Sequence, residues 1–468
     1  MTTPFVPPRG GTDHQETPGT RRPDDQVANQ LQQNFLQLFK VPETRQKIYL
    51  TLVLLLVFRL GFQIPIPGMS PEFLKTAQDQ NAIFGLMSAF SGGDFGSTTI
   101  FALGIMPYIS ASIIFSMLTK VSPAMEAIQK EGAAGQKKIN QWTRLAVVPI
   151  AILQGLFIYT GVFLQNKAMI ATEMQESTFA LGMIVVMSLL AGSIFVMWLG
   201  ELITEFGVGN GASLLIMAGI VAEIPVAISS IIEAEDFWQT ILGLSAIWAV
   251  TVLVVVFIHK GARRVPIQYA RLTRGTQAYG GQRHYLPLKV NMAGVMPVVF
   301  ASVIFIIPQL ALQMVDLTDW TRVFSDPTGF VHVALFSALV FFFCFFWNRL
   351  MFQPNEIADN LREHGSFVPG IRPGAKTAEY LSSVLTRITL AGAAFLAVIS
   401  VAPAFLTQGV SNPSLMYFLG GTSVLIVVGV ALDLVDRLNA QLVMKNYEGF
   451  MKSSGPGWTR GATKGDAR

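Results

Sequence analysis

The order of apolar and polar positions divides the chain into ten long hydrophobic segments separated by polar connections. They fall at about 47–63, 98–118, 143–164, 178–203, 211–232, 238–258, 291–314, 331–351, 382–406 and 413–434. At a rise of ~1.5 Å per residue, roughly 20 apolar residues cross a bilayer core of ~30 Å, so each segment reads as a spanning helix. Just before the second lies a different element. Residues 82–90 are apolar but too short to span, and Ser91, Gly92, Gly93 and Gly96 then break the run. A short apolar helix, a glycine hinge and a full span indicate a re-entrant segment. Such a segment survives at membrane depth only when shielded by protein or lining a cavity. The pattern points to a channel or transporter with a segment folded into its mouth.

An even number of spans puts both termini on one side. Five spans precede the long central connection and five follow, so related halves would have opposite orientations. That is an inverted-repeat plan with the transport path at the interface. No sequence repeat is evident, and the plan rests on parity alone. The expected organisation is a tail at 1–46, a first half at 47–232 with its short helix at about 82–92, a second half at 233–436 and a tail at 437–468. The first tail is polar and Pro-rich, hence read as largely disordered, with no signal-peptide pattern.

Composition agrees. The chain is 51% hydrophobic and 13% charged, against roughly 25% charged in soluble domains; this is a polytopic membrane protein. Lys and Arg crowd both tails and the even-numbered connections, while the opposite side offers only Lys75, Lys167 and Arg322. That asymmetry assigns both termini to the cytoplasm. The turn after the fourth span departs from it, carrying Glu201 and Glu205 without a basic residue.

Two cytoplasmic connections are too long to be turns. Residues 260–289 suit a β-hairpin, and residues 353–381 a short helix followed by a Pro/Gly loop. Their basic charge has two readings, a topology signal or a docking surface for an acidic partner. The single cysteine, Cys344, sits in an apolar run, which excludes an intrachain disulfide and fits packing.

Candidate chemistry is sparse. Ile105 and Ile109 share a helix face, a stripe that suits helix packing as well as pore lining. GVGNG at 207–211 lacks the lysine of a phosphate loop and reads as a tight turn. SGGD at 91–94 has no second intramembrane aspartate to complete a protease dyad. The five histidines lie in tails, loops or span edges, and no metal-ligand cluster is evident. An ion-coupled secondary transporter of a small solute is the alternative to a channel. It would need ionisable residues near the midplane, where this chain has almost none.

Longer motifs are specific. IPIPG (64–68), FSGGDFG, IFALGIMPYISASII, KEGAAGQKKINQWTR, MWLGELITEFGVGNG, LPLKVNMAGVMP, ADNLREHGSFVPGIRPG and GGTSVLIVVGVALD occur in order from about residue 47 to 450. Together they resemble the SecY family, the channel-forming subunit of the bacterial protein-secretion machinery. The resemblance implies an all-α polytopic membrane protein, with ten transmembrane helices in two inverted five-helix halves around a central hourglass pore. It implies a protein-conducting channel of the plasma membrane that passes unfolded secretory chains and releases apolar segments sideways into membrane lipid. Its constriction would be Ile105, Ile109, Ala212, Ile216, Val299 and Ile426, with Ala212 and Val299 smaller than the family's usual residues. Ile83, Phe84, Met87, Phe90, Gly92 and Gly93 would belong to a plug beneath it. A lateral gate would lie between spans two and three and spans seven and eight, with Ser110 and Asn291 as polar contacts. Arg271, Arg274, Arg372 and Lys376 would dock the ribosome and the SecA motor ATPase, although Thr276 and Gln277 replace a frequent basic pair. SecE, SecG and signal-bearing preproteins are the other implied partners. No cofactor and no catalysis are implied.

Overall fold

The computed structural model describes residues 42–68, 99–164, 170, 177–222, 224–225, 228, 237–269, 272–274, 277–279, 283–290, 294–314, 320, 323–324, 326, 328–406 and 421–453. The first half contains α1 (Pro42–Gly61), α2 (Met106–Val121), α3 (Pro123–Lys130), α4 (Ala133–Ile158), α5 (Thr178–Phe206) and α6 (Gly211–Ala222). The second contains α7 (Phe237–Lys260), α8 (Met296–Met314), α9 (Phe330–Met351), α10 (Pro354–Glu363), α11 (Ala375–Leu406) and α12 (Gly421–Ser453). Five of the described helices are long and apolar enough to cross a membrane.

Several helix boundaries differ from the hydrophobic pattern; α4, for one, begins at Ala133 and α11 at Ala375. The second span does not begin at residue 98: Thr99–Ile105 is a turn segment, and the helix starts at Met106. Gly104 adopts φ 51°, which breaks a helix, and Pro107 in the first turn restarts one. Apolar character alone does not reveal this. The first helix begins at Pro42, inside the expected tail. The last runs to Ser453, well past the apolar segment and into the expected tail at 437–468.

The packing is repeated. In the first half α1 packs on α5 and α6, α4 on α2 and α5, and α5 on α6. In the second half α7 packs on α11 and α12, α9 on α8 and α11, and α11 on α12. These five contacts of each half coincide when α1, α2, α4, α5 and α6 are matched to α7, α8, α9, α11 and α12, while α2 also packs on α5 and α8 on α12 without a counterpart. An odd number of spans per half makes the repeat an inverted one.

This correspondence exposes two sequence repeats that inspection of the chain missed. GIMPYISAS (104–112) matches GVMPVVFAS (294–302), and GASLLIMAGI (211–220) matches GTSVLIVVGV (421–430). Their special backbones match too. Gly104 and Gly294 have φ 51° and 62°. Gly211 and Gly421 each open a helix against the carbonyl of the helix before it. A Cβ on Gly211 would lie 1.8 Å from Gly200 O, and one on Gly421 1.8 Å from Ile399 O.

The halves meet where α6 touches α12, and where α8 touches the π-helical turn Tyr159–Phe163 that extends α4. Arg144 on α4 bonds Glu201 on α5 through Nε–Oε1 at 2.6 Å, so the acidic turn after the fourth span draws its cation from the neighbouring connection.

The two long connections form one platform. β1 (Ala262–Tyr269) pairs antiparallel with β4 (Arg283–Lys289), in register from Ala262↔Lys289 to Gln268↔Arg283. β2 (Leu272–Arg274) and β3 (Gln277–Tyr279) make a second hairpin between them. β5 (Ser366–Phe367), from the other connection, adds to the free edge of β1. Val265, Leu288, Val368, Leu381, Val384 and Leu385 bury a separate small core beneath this sheet.

Candidate functional site

The repeated segments carry the constriction candidates. Ile109 and Val299 occupy matching positions in one repeat, and Ile216 and Ile426 in the other. Ile105, Ile109, Ile216, Val299 and Ile426 are all buried within one continuous apolar cluster. Ala212 is half-buried and packs against it. Ile105 is the residue capping α2 rather than a member of the helix, and its carbonyl accepts from Ile109 N at 3.0 Å. Four helices from both halves therefore bring six side chains without a polar atom into one core. A ring of such side chains around a pore would gate it by excluding water.

The glycine contacts explain the convergence. Gly200 on α5 presents no side chain, and Ile105 Cδ1 and Leu215 Cδ1 would each lie 3.3 Å from a Cβ placed there. The helix carrying Ala212 and Ile216 is fixed at its start. Asn210 Oδ1 accepts from Ala212 N at 3.0 Å, and Thr204 Oγ1 accepts from Gly211 N at 2.8 Å. GVGNG is thus a capped turn in which the N–H groups of Gly207, Val208 and Gly211 are engaged, with Gly209 at φ 89°.

The plug candidates Ile83, Phe84, Met87, Phe90, Gly92 and Gly93 lie outside the described residues, as do Asn291 and Arg271. The ends of that re-entrant segment are described. Pro65 forms an antiparallel bridge with Thr99, and Ile100 N donates to Ile64 O at 3.1 Å. The chain leaves and returns to the described structure at one place.

Ser110, half-buried on α2, accepts from Gln154 Nε2 on α4 at 3.5 Å. Gln154 was not singled out from sequence, although a lone amide within an apolar run (AILQGLF) is a usable signal. A second polar link crosses between the halves. With its amide oriented to suit both neighbours, Gln353 accepts from Lys120 Nζ at 2.8 Å and donates to Glu356 Oε2 at 3.1 Å. Lys120 ends α2 and Gln353 caps α10, directly after α9. No sequence pattern marks this pair.

Arg372 is exposed in a loop held at both sides. Its carbonyl accepts from Thr377 Oγ1 at 2.9 Å, and Gly370 and Gly374 take φ 84° and 96°. Lys376, one turn on, is paired with Glu379 at 2.8 Å. That hydrogen bond pulls the Glu379 carboxyl below its usual range and pushes the Lys376 ammonium above its own. Arg274 lies in β2. Among the described residues no group of His, Cys, Asp and Glu could hold a metal ion.

The family model described as SecY matches residues 99–435. The protein translocase subunit SecY of Streptomyces coelicolor is 42% identical over 434 residues, covering 89% of this chain and 99% of that one. The chain belongs to the SecY family. The SecY subunit of Mycobacterium bovis is 41% identical over 440 residues, with 89% and 99% covered. The fold is also that of solved channels. A protein-conducting channel superposes with a TM-score of 0.60 at 17% identity, covering 85% of this chain and 93% of the other. Sec61 in the canine ribosome-channel complex from the endoplasmic reticulum gives 0.56 at 16% identity, covering 85% and 93%. A SecY structure whose plug domain stabilises the closed state and maintains a membrane seal gives 0.59 at 18% identity, covering 85% and 92%. SecY is a channel family rather than an enzyme family, and membership makes this chain a multi-pass membrane protein and a translocation channel, which removes the ion-coupled transporter.

Proposed function

We propose that this chain is the channel through which unfolded secretory proteins cross the plasma membrane, and from which apolar segments move sideways into lipid. The observation that supports the reading is the buried apolar cluster to which matching positions of two repeats, Ile109 with Val299 and Ile216 with Ile426, contribute. A pore for chains of any sequence gains nothing from specific hydrogen bonds. An apolar ring makes none and stays dry when closed. A sideways opening lets each segment partition by its own hydrophobicity, with Lys or Arg at mid-helix disfavoured by ~2.5–3.5 kcal/mol.

Ile105, Ile109, Ala212, Ile216, Val299 and Ile426 form the ring, and the segment at 82–92 plugs it. Ser110, with Gln154 and Asn291, lines the lateral gate. The platform, with Arg372 at its tip and Arg271, Arg274 and Lys376 nearby, docks the SecA motor or the ribosome. SecE and SecG are the accompanying membrane subunits. No energy-transducing motif appears in the sequence, so the push comes from the partner. Both termini face the cytoplasm.

The test is reconstitution. Purified protein with its small subunits in liposomes should import a preprotein only with the motor and ATP. Import that ignores both would overturn the reading. Topology is checked separately in a Cys344→Ala background. A cysteine at Lys75 should label from outside intact cells, and one at Arg271 should not.

A further inference from the structure

The segments that lead into α2 and α8 are held in the same way in both halves. Ile100 N donates to Ile64 O at 3.1 Å, just past the end of α1, and Val290 N donates to Gly261 O at 2.9 Å, just past the end of α7. The carbonyls of the same two residues rest on glycines of α5 and α11. A Cβ on Gly192 would lie 2.1 Å from Ile100 O, and one on Gly392 2.6 Å from Val290 O. The two glycines sit in matching sequences, LAGSIF (190–195) and LAGAAF (390–395). Phe101 strengthens the first anchor, its ring stacked 5.7 Å from that of Phe195 on α5. Ile100 and Val290 are therefore each pinned within their own half at both N–H and C=O.

Four residues past each anchor stands the positive-φ glycine, Gly104 or Gly294, and three further on a proline in the first turn of the helix. Glycine moves across φ at the least steric cost, and proline has no N–H to tie the helix back to the turn. Beyond these points each helix reaches the other half. α2 ends at the Lys120 link to Gln353, on the platform side. α8 starts on the platform side, after β4. The 26-residue α4 runs away from the Lys120 end, so the π-helical turn that follows it meets α8 at the opposite end. Each helix is thus anchored at one end in its own half and joined at the other end to the opposite half, and the two anchors lie at opposite ends of the bundle.

We propose that Gly104 and Gly294 are a matched pair of hinges, about which α2 and α8 swing when the gate opens. This rests on the lateral gate proposed above and supplies its moving parts. α2 moves at its Lys120 end and α8 at its end beside Tyr159–Phe163, while Ile100 and Val290 stay fixed on α5 and α11. A few residues at the ends of elements are what absorb such a change in backbone angles. Because the pivots lie at opposite ends, the two swings together part the gate along its whole length. Separation of the halves as rigid bodies differs in one measurable respect: it leaves every distance within a half unchanged.

Pulsed electron–electron double resonance on the purified complex tests this, with spin labels on cysteine pairs introduced in a Cys344→Ala background and shown to leave import intact. Val121 and Tyr49, both exposed, report the Lys120 end of α2 against α1 of the same half. Leu312 and Trp238 report the last turn of α8 against the start of α7 of the same half. Val121 and Met351, at the ends of α2 and α9, span the gate. Resting protein is compared with protein holding a preprotein stalled in transit by the motor and ATP. Both distances within a half should shift by about 5 Å, a swing of roughly 12° over the ~24 Å length of α2. The Ile64–Phe179 distance, beside the first anchor, should stay constant. A longer Val121–Met351 distance with both distances within a half unchanged would overturn the hinges and leave the gate standing. An unchanged Val121–Met351 distance would overturn the gate and the hinges with it.

Discussion

Gln353→Leu tests how the closed state is held. Gln353 joins Lys120, at the end of the second span, to Glu356 behind the eighth. These elements belong to opposite halves and flank the gate proposed above; on that proposal the link exists only while the gate is closed at that end. Lys120 and Gln353 are half-buried and Glu356 is exposed, which puts the link in the range of partly screened charged contacts, about 0.5–1 kcal/mol. Removing it shifts the closed–open equilibrium by that amount, a roughly two- to fivefold rise in the open population. Leucine has nearly the same length and leaves α10 its proline start, so folding should be unaffected. The assay is ATP-driven import of a preprotein with a weakened signal sequence, relative to the same preprotein with an intact one. The ratio should rise two- to fivefold. Lys120→Gln should raise it similarly, and the double variant should add little, because both changes break one link. Fully additive effects, or an unchanged ratio in either single variant, would refute the reasoning.

Three further outcomes are expected. Ile109→Asn with Ile216→Asn places two amides in the constriction, where they hold water; planar-bilayer recordings should show a small leak, and a larger one when residues 82–92 are also deleted. Arg372→Glu reverses one exposed charge and should shift stability by no more than about 0.5 kcal/mol, while motor-driven import falls sharply. Gly211→Ala forces a Cβ to within 1.8 Å of the Gly200 carbonyl. It should destabilise the helix pair by about 1–3 kcal/mol or more, read as a lowered thermal unfolding temperature.

The spans were legible because lipid demands long apolar runs whatever the neighbours. Their ends were not, since Gly104 and Pro107 decide where α2 starts and neither changes the hydropathy. The continuation of α12 to Ser453 was hidden for the opposite reason: it is charged and has left the apolar segment. The inverted plan was legible from the parity of the spans, but the sequence repeat was not, because it survives in the chain only as short matches, such as those around Pro107 and Pro297 and after Gly211 and Gly421. Helix packing preserves shape with many different apolar residues, so the correspondence is plainer in the contacts. The pairing of β5 with β1 joins two distant connections through two residues and leaves no local signal. The constriction candidates came from family motifs, since Ile105 and Ile109 alone are indistinguishable from any packed stripe. The Lys120–Gln353 link and the Gln154–Ser110 bond needed coordinates, because each joins polar residues far apart in sequence.

The central claim is that a secretory chain passes through the ring. A photo-crosslinking residue at Ile216, with a secretory chain stalled in transit, tests it most directly. Leu253, 70% exposed on the outward surface of α7, is the control. The account predicts a crosslink to the stalled chain from position 216, dependent on the motor and ATP, and none from position 253. Crosslinking absent at 216, or equal at both positions, would contradict it.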